Sequence, residues 1–397
     1  MIFLTTISAP GVLNHSVALA KLLRAGSLEV LLLVGPEAED HLKFIKCDVP
    51  WVVVESLRLD FDRSNPNRKP HIQQILSREY LVQSTREICA LAEKHGPRLL
   101  ITKNIFSPVL VSQLIDVPYA TYHTGGDIYL LKDKSPLLLS CDQAMGREFH
   151  AAADELGIDQ SKLLDFPHCI TGGALNIVRG LGEISGLAPD ERKGGASRTV
   201  FVGTLVFDGA KKDETFENPF KNNNPIVYVT FGTVCYDMER YRIILGYFAK
   251  NKGLNVVVSS FNLDLSVLGI ESDNIFVSKY IPNSLVMKQA QLVVHHGGFG
   301  TFLESFEFGV PMLIIPDNLD RTCQLHHGNT ARKLDVGMVL DRADLTEGSF
   351  GECLGRLLDG DHKKRAVGIS ERIQTLSRNA QDELIRQVGR VIDRVPR

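Results

Sequence analysis

Short apolar runs alternate with longer stretches of helical periodicity along most of this chain. In the first half the pattern predicts a strand over residues 2–8 (IFLTTIS), a helix over 15–25, a strand over 28–34, and strands over 98–102 and 117–123 around a helix near Leu110. Polar, glycine-containing segments occupy 172–197. A second alternation begins after Pro225 with IVYVTFGTV and continues through LNVVVSSF, NIFVSKYIP, QLVVHH, MLIIP and MVL. Strands separated by helical segments are the mark of α/β architecture, in which crossover helices join the strands of a parallel sheet. Beyond Gly360 the sequence is strongly helical, with Ile369, Ile373, Leu376, Leu384, Val388 and Val391 marking one packed face.

The two alternations divide the chain into an N-terminal domain over 1–206, a polar linker over 207–224 (FDGAKKDETFENPFKNNN), a second domain over 225–380, and a terminal helix over 381–397 placed to pack back on the first domain. A chain of 397 residues is long for one domain and comfortable for two. The expected fold class is thus α/β, two Rossmann-like doubly wound parallel-sheet domains, whose strand ends would face one another across a cleft.

Composition narrows the functions. Charged residues make up 23% and the net charge is −3, which gives no general case for nucleic acid as a partner. The one densely basic stretch, DRSNPNRK over 62–69, reads as an exposed loop. The longest apolar runs fall far short of the ~18 residues of a membrane helix. Met1 leads straight into an apolar strand with no basic region or small-residue cleavage site, so the expected location is the cytoplasm. Seven scattered cysteines, without a CxxC pair, read as free thiols rather than metal ligands. Asp60 and Asp62 form a DxD, but in the half of the chain without the glycine cluster, and a solvated turn is the better reading.

That cluster is the chemically richest segment. In VVHHGGFGTFLESFEFGVPMLIIP, residues 293–316, a strand runs into Gly297, Gly298 and Gly300 and then into a helix. Glycines let the backbone turn sharply and an anion approach the amides, while the helix N-terminus favours negative charge. No Lys or Arg lies between Val293 and Pro316, so this is no Walker loop; the cradle has amides, a histidine and a hydroxyl to work with.

With these residues in view, the chain resembles the GT-B fold glycosyltransferases of family 1, which decorate natural products. The donor signature HGGxGTxxExxxxGxPxxxxP is matched by His296, Gly297, Gly298, Gly300, Thr301, Glu304, Gly309, Pro311 and Pro316. VYVTFGTV around Gly232 and Thr233, KYIP at 279–282 and FVGTL at 201–205 match further blocks in the same order. The resemblance implies that His296, Thr301 and the amides of Gly298 and Gly300 hold a donor diphosphate. It also implies that Glu304 accepts hydrogen bonds from ribose hydroxyls, that Tyr280 stacks on the base and that the backbone of Ile281 reads the base edge. Gly11, Gly232 and Thr233 join the donor side. A bland alternative stays open for each: a solvated helix residue for Glu304, a core tyrosine for Tyr280.

Two departures from the family pattern stand out. The acid–glutamine pair that normally follows the second strand, counted from Pro316, falls on Asp320 and Arg321, while counting back from Asn329 puts it on Leu325 and His326, so Gln324 or His326 could take the role. The family's base histidine aligns with Val12, and the aspartate that orients it aligns with Lys103. Both members of the dyad are missing together, which implies another base or an acceptor needing little deprotonation, such as an amine. The titratable candidates are His15, in the first turn of the first helix, and His123 and Asp127 in YHTGGD.

The expected function is transfer of a sugar from a UDP- or dTDP-type donor to a small-molecule acceptor, inverting and metal-independent, by a monomer or homodimer that needs no further cofactor. A silent nucleotide-sugar-binding or auxiliary subunit, and a transferase on a lipid-linked acceptor, are the alternatives.

Overall fold

The structure is a computed structural model. It describes all residues except 62–68, 70, 125–135, 164–172, 183, 185–197, 211–213, 233–236, 262, 318–320 and 396–397; the side chains of 72, 124–145, 162, 198 and 321–322 are likewise outside the described set. The chain forms two compact units, Met1–Phe207 with Arg378–Arg397, and Asp208–Ser377.

In the first unit, seven strands make one sheet: β1 (Ile2–Thr6), β2 (Val30–Val34), β3 (Trp51–Val53), β4 (Leu99–Lys103), β5 (Tyr119–Thr124), β6 (Leu175–Arg179) and β7 (Arg198–Phe201), in the order β3-β2-β1-β4-β5-β6-β7. Every pairing is parallel. Fully buried strands such as LLITK and LNIVR explain the near-continuous apolar runs, since helices cover both faces of a parallel sheet. The first helix runs from Pro10 to Ala25, five residues earlier than the pattern predicts, because Pro10 sits at its start, where a missing N–H costs nothing and its fixed φ suits the helix. His15 therefore lies in the second turn, not the first. β6 corrects the reading of 172–197 as polar connecting segments: its five residues are buried beside β5 and β7.

The second unit repeats the plan with β8 (Ile226–Thr230), β9 (Asn255–Ser259), β10 (Ile275–Ser278), β11 (Ala290–His295), β12 (Met312–Ile314) and β13 (Gly337–Val339), ordered β10-β9-β8-β11-β12-β13 and parallel throughout. Its core gathers Val227, Val229, Phe231, Tyr241, Phe248 and Phe350. Residues 208–224, read as a linker, group with this unit, and their first residue is anchored: the buried Asp208 carboxylate accepts from the Ser284 N–H (2.8 Å) and hydroxyl (3.1 Å). The last long helix, His362–Asp393, contributes its residues through Ser377 to the second unit and the remainder to the first. In each sheet the strand order reverses beside the first strand, between β1 and β4 and between β8 and β11, and ligands of such folds bind outside the carboxyl ends of the strands at that reversal.

Candidate functional site

The glycine-rich turn leaves β11 at the reversal of the second sheet, with β8 as its neighbour. Two imidazoles fix its backbone. His295 Nδ1 accepts from the Gly297 N–H at 3.2 Å, and His327 Nδ1–H donates to the Gly297 carbonyl at 2.7 Å. Gly297 has φ +91°, and a Cβ there would meet the Gln324 carbonyl oxygen and Ile314 Cγ2 at 3.0 Å each, so both the turn and the packing exclude a side chain. His327 is held in turn by stacking on Phe302, with ring centroids 4.8 Å apart.

His296 follows, with its ring laid over two further glycines. A Cβ on Gly232 would stand 2.9 Å from His296 Cε1, and one on Gly298 would stand 2.7 Å from Cε1 and closer still to Nε2. The segments around Gly232 and Gly298 thus meet at one imidazole: each lacks a side chain where that ring lies. His296 Nδ1 is buried without a hydrogen-bond partner. Burial lowers its pKa to about 4, the Arg240 charge adds to the depression, and the Asp317 carboxylate opposes it. At neutral pH the ring is therefore uncharged, one nitrogen a donor and the other an acceptor.

The helix Phe299–Glu307 starts directly after Gly298, with no side chain capping it and no acidic residue in its first turn, which leaves its N-terminal amides and dipole available to an anion. Thr301 and Glu304 are both buried on it, which removes the reading of Glu304 as a solvated helix residue. Asn283 Nδ2 donates to Glu304 Oε2 at 2.7 Å, and the Tyr228 hydroxyl donates to Asn283 Oδ1 at 2.6 Å. Tyr280 is half-buried, its hydroxyl donates to the Asp208 carbonyl at 2.6 Å, and it packs edge-on against Phe261. Burial and then the Asp208 and Glu304 charges push its pKa up. Ile281 is buried beside it.

Thr233 and Asp320 lie outside the described residues; Arg321 opens the helix Arg321–Lys333, its side chain undescribed. The alternative Gln324 is buried and engaged at both ends with Asp317, accepting from its N–H (2.7 Å) and donating to its carboxylate (2.9 Å). The Gln324 amide thus shapes the loop. His326 is half-buried beside His327.

In the first unit, Lys103 and Arg179 end β4 and β6 and His123 is the penultimate residue of β5, so the three lie at one end of the sheet, and all three are buried. The Lys103 ammonium lies 5.7 Å from the Tyr122 ring centroid, and the Tyr122 hydroxyl approaches the His15 carbonyl at 3.4 Å. His15 has its pKa pushed well below the usual histidine range by burial, then by the Arg179 and Lys103 charges, so two cations oppose its protonation. Asp127 falls outside the described residues; Gly11 is exposed, with open space around it.

Arg240, which sequence reasoning passed over, lies 1% exposed on the helix Met238–Lys250. Its signal was present: Arg240 falls on the stripe of Tyr241, Ile244, Leu245 and Phe248, a charge on an apolar face.

Comparison with known proteins bears on all of this. Residues 254–390 match the family model described as erythromycin biosynthesis protein CIII-like, C-terminal domain. A protein of Bacillus subtilis (strain 168) named uncharacterized UDP-glucosyltransferase YojK is 24% identical over 195 residues, 48% of this chain and 47% of that one. The chain spans less than half the length of the curated relatives it matches. Among solved structures, the glycotransferase of kitacinnamycin superposes with TM-score 0.77 at 18% identity, covering 97% of this chain and 98% of that one. The glycosyltransferase VinC, solved in complex with dTDP, gives 0.72 at 17% identity over 99% and 100%. The shared fold is GT-B.

Proposed function

We propose that this chain is a family 1 glycosyltransferase, a reading its GT-B fold and the family match over residues 254–390 support, and that it transfers a sugar from a nucleoside diphosphate donor to an acceptor. The observation that carries this reading is the uncapped helix N-terminus behind the Gly297 turn, with the neutral His296 ring seated over Gly232 and Gly298. In the reaction the acceptor atom attacks the anomeric carbon from the face opposite the leaving group, which inverts it, and the acceptor's proton passes to His15 or to solvent. The bond from that carbon to the diphosphate oxygen breaks, and its electron pair stays on the diphosphate. His296, the Thr301 hydroxyl and the amides of the helix Phe299–Glu307 meet the developing charge, preorganised in a largely buried setting. Glu304, steered by Asn283, accepts from the ribose diol, and Tyr280 and Ile281 flank the base. On this reading the enzyme works without a metal or further cofactor.

We place the acceptor on the first unit. His15, neutral and flanked by two cations, is a weak general base there, which favours an acceptor needing little deprotonation. The donor is a UDP or dTDP sugar and the acceptor a small natural-product-like molecule, in line with the names of the relatives and the dTDP complex of VinC. Among the described residues no helix is long and apolar enough to cross a membrane. The replacement of the dyad by Val12 and Lys103 also supports a second reading, a nucleotide-sugar-binding subunit without turnover.

Calorimetric titration with UDP, dTDP and GDP, with and without magnesium, tests the donor site. Selective, metal-independent binding of one nucleotide is expected, and binding of none would remove the assignment. Release of that nucleotide from its sugar conjugate, in the presence of acceptor, separates enzyme from silent binder.

A further inference from the structure

The diphosphate of the proposed donor carries more negative charge than the glycine-rich turn can offset, because residues 293–316 include no Lys or Arg and His296 is neutral. The compensating cation must come from elsewhere in the second unit. Arg240 is 1% exposed, and its Nε and Nη1 have no hydrogen-bond partner. Burying a guanidinium costs several kcal/mol unless it is paired in good geometry. Here the compensation is thin. The Arg240 guanidinium carbon stacks 4.5 Å from the Phe231 ring centroid, and Nε stands 3.5 Å from Asp237 Oδ2. That carboxylate is already shared: it accepts from the Arg240 backbone N–H at the start of the helix, and Arg342 takes both of its oxygens.

Place matters as much as pairing. Phe231, the ring beneath the guanidinium, directly precedes Gly232, the residue over which the His296 ring lies. The helix Met238–Lys250 follows β8, the strand beside β11, so its N-terminal turn and the glycine-rich turn open from adjacent strand ends at the reversal of the sheet. The Arg240 charge reaches His296, which also feels Asp317.

We infer that Arg240 is the cation of the donor-diphosphate site, a positioning residue whose buried positive charge, brought from another helix, compensates the pyrophosphate that the glycine-rich turn holds by uncharged groups alone. This rests on reading the turn as a diphosphate site. Arg240 acts from over Phe231, the residue before Gly232: its field favours the diphosphate of the donor and adds to the burial that keeps the imidazole neutral, so that the ring meets the phosphate as a hydrogen-bonding group. A buried charge lacking short hydrogen bonds beside a cradle of glycines is the arrangement expected where an incoming anion completes the pairing.

The test compares UDP with UMP, and dTDP with dTMP, by calorimetry on the wild type, Arg240→Met and Arg240→Lys, with thermal melts of each. Loss of one charge near the diphosphate should weaken nucleoside diphosphate binding about tenfold or more and the monophosphate distinctly less, by about fivefold or under, since Coulomb attraction scales with ligand charge. Arg240→Lys, which keeps the charge, should recover most of the loss. In Arg240→Met the NMR titration of His296 should move upward. Equal weakening of mono- and diphosphate, or unchanged diphosphate binding in Arg240→Met, would overturn the inference. So would an Arg240→Lys protein that melts like the wild type yet binds as poorly as the Met variant. If the wild type binds none of the four nucleotides, the donor reading itself fails and this inference with it.

Discussion

Gly298→Ala isolates the position of His296. Gly298 has φ −60° and ψ 139°, which alanine adopts freely, so the substitution adds no backbone strain and tests space alone. The new methyl would stand 2.7 Å from His296 Cε1 and closer to Nε2, whereas carbon contacts settle at about 3.5 Å, so the ring must withdraw by roughly 1 Å. The atoms that collide are the far end of a side chain, so the fold should absorb the change at a cost of roughly 1 kcal/mol. Function should not absorb it: a displacement of about 1 Å in a group that positions a reacting phosphate can cost about 100-fold. The expected result is a thermal midpoint within a few degrees of the wild type, with affinity for the selected nucleoside diphosphate and turnover both reduced at least about tenfold. Unchanged affinity and turnover in a folded Gly298→Ala protein would refute the reasoning, because the ring would then have moved without consequence for the ligand.

Acid should weaken the fold from just below neutrality. His15, His295 and His296 all have folded pKa values below 6.5, so between that value and the folded ones the unfolded chain binds protons that the native state refuses, and stability falls as pH falls. For His296 the drop from 6.5 to about 4 is 2.5 units, or about 3 kcal/mol lost across that window; urea midpoints that stay level from pH 7 to pH 4.5 would contradict this. Tyr228→Phe removes the donor to Asn283, leaving a polar atom unpaired beside Glu304, and should cost about 1–3 kcal/mol in urea unfolding while weakening nucleoside diphosphate binding; an unchanged protein would show the network to be idle. Gly355→Ala serves as the opposite control: a Cβ there meets nothing within 4 Å on the helix Glu347–Asp359, so a gain of about 0.5–1 kcal/mol with unaltered nucleotide binding is expected, and a loss would show that open space misjudged.

Much of the second unit was legible because its signals are local. The run into His295, the glycines and the helix after them occupy consecutive residues, and their meaning depends on backbone freedom and period alone. β6 was hidden because its sequence, LNIVR, mixes an asparagine and an arginine into a strand that is nonetheless buried on both faces. The first helix was read five residues short, although Pro10 at its start is favourable there. Glu304 was visible as a residue, but nothing near it in sequence announced that Asn283 and Tyr228 would hold its carboxylate.

The amino-acid sequence by itself determined the α/β alternation, the place of the turn at the end of β11 and the absence of a cation within residues 293–316, since hydrophobic period, glycine freedom and residue type are properties of neighbours along the chain. Tertiary structure alone decided the charge states and the partners. His296 is neutral because it is buried near Arg240, and His15 because it is buried near Arg179 and Lys103. In both cases the fold brings together residues far apart in the chain, and loss of water and nearby charge set the energy of protonation.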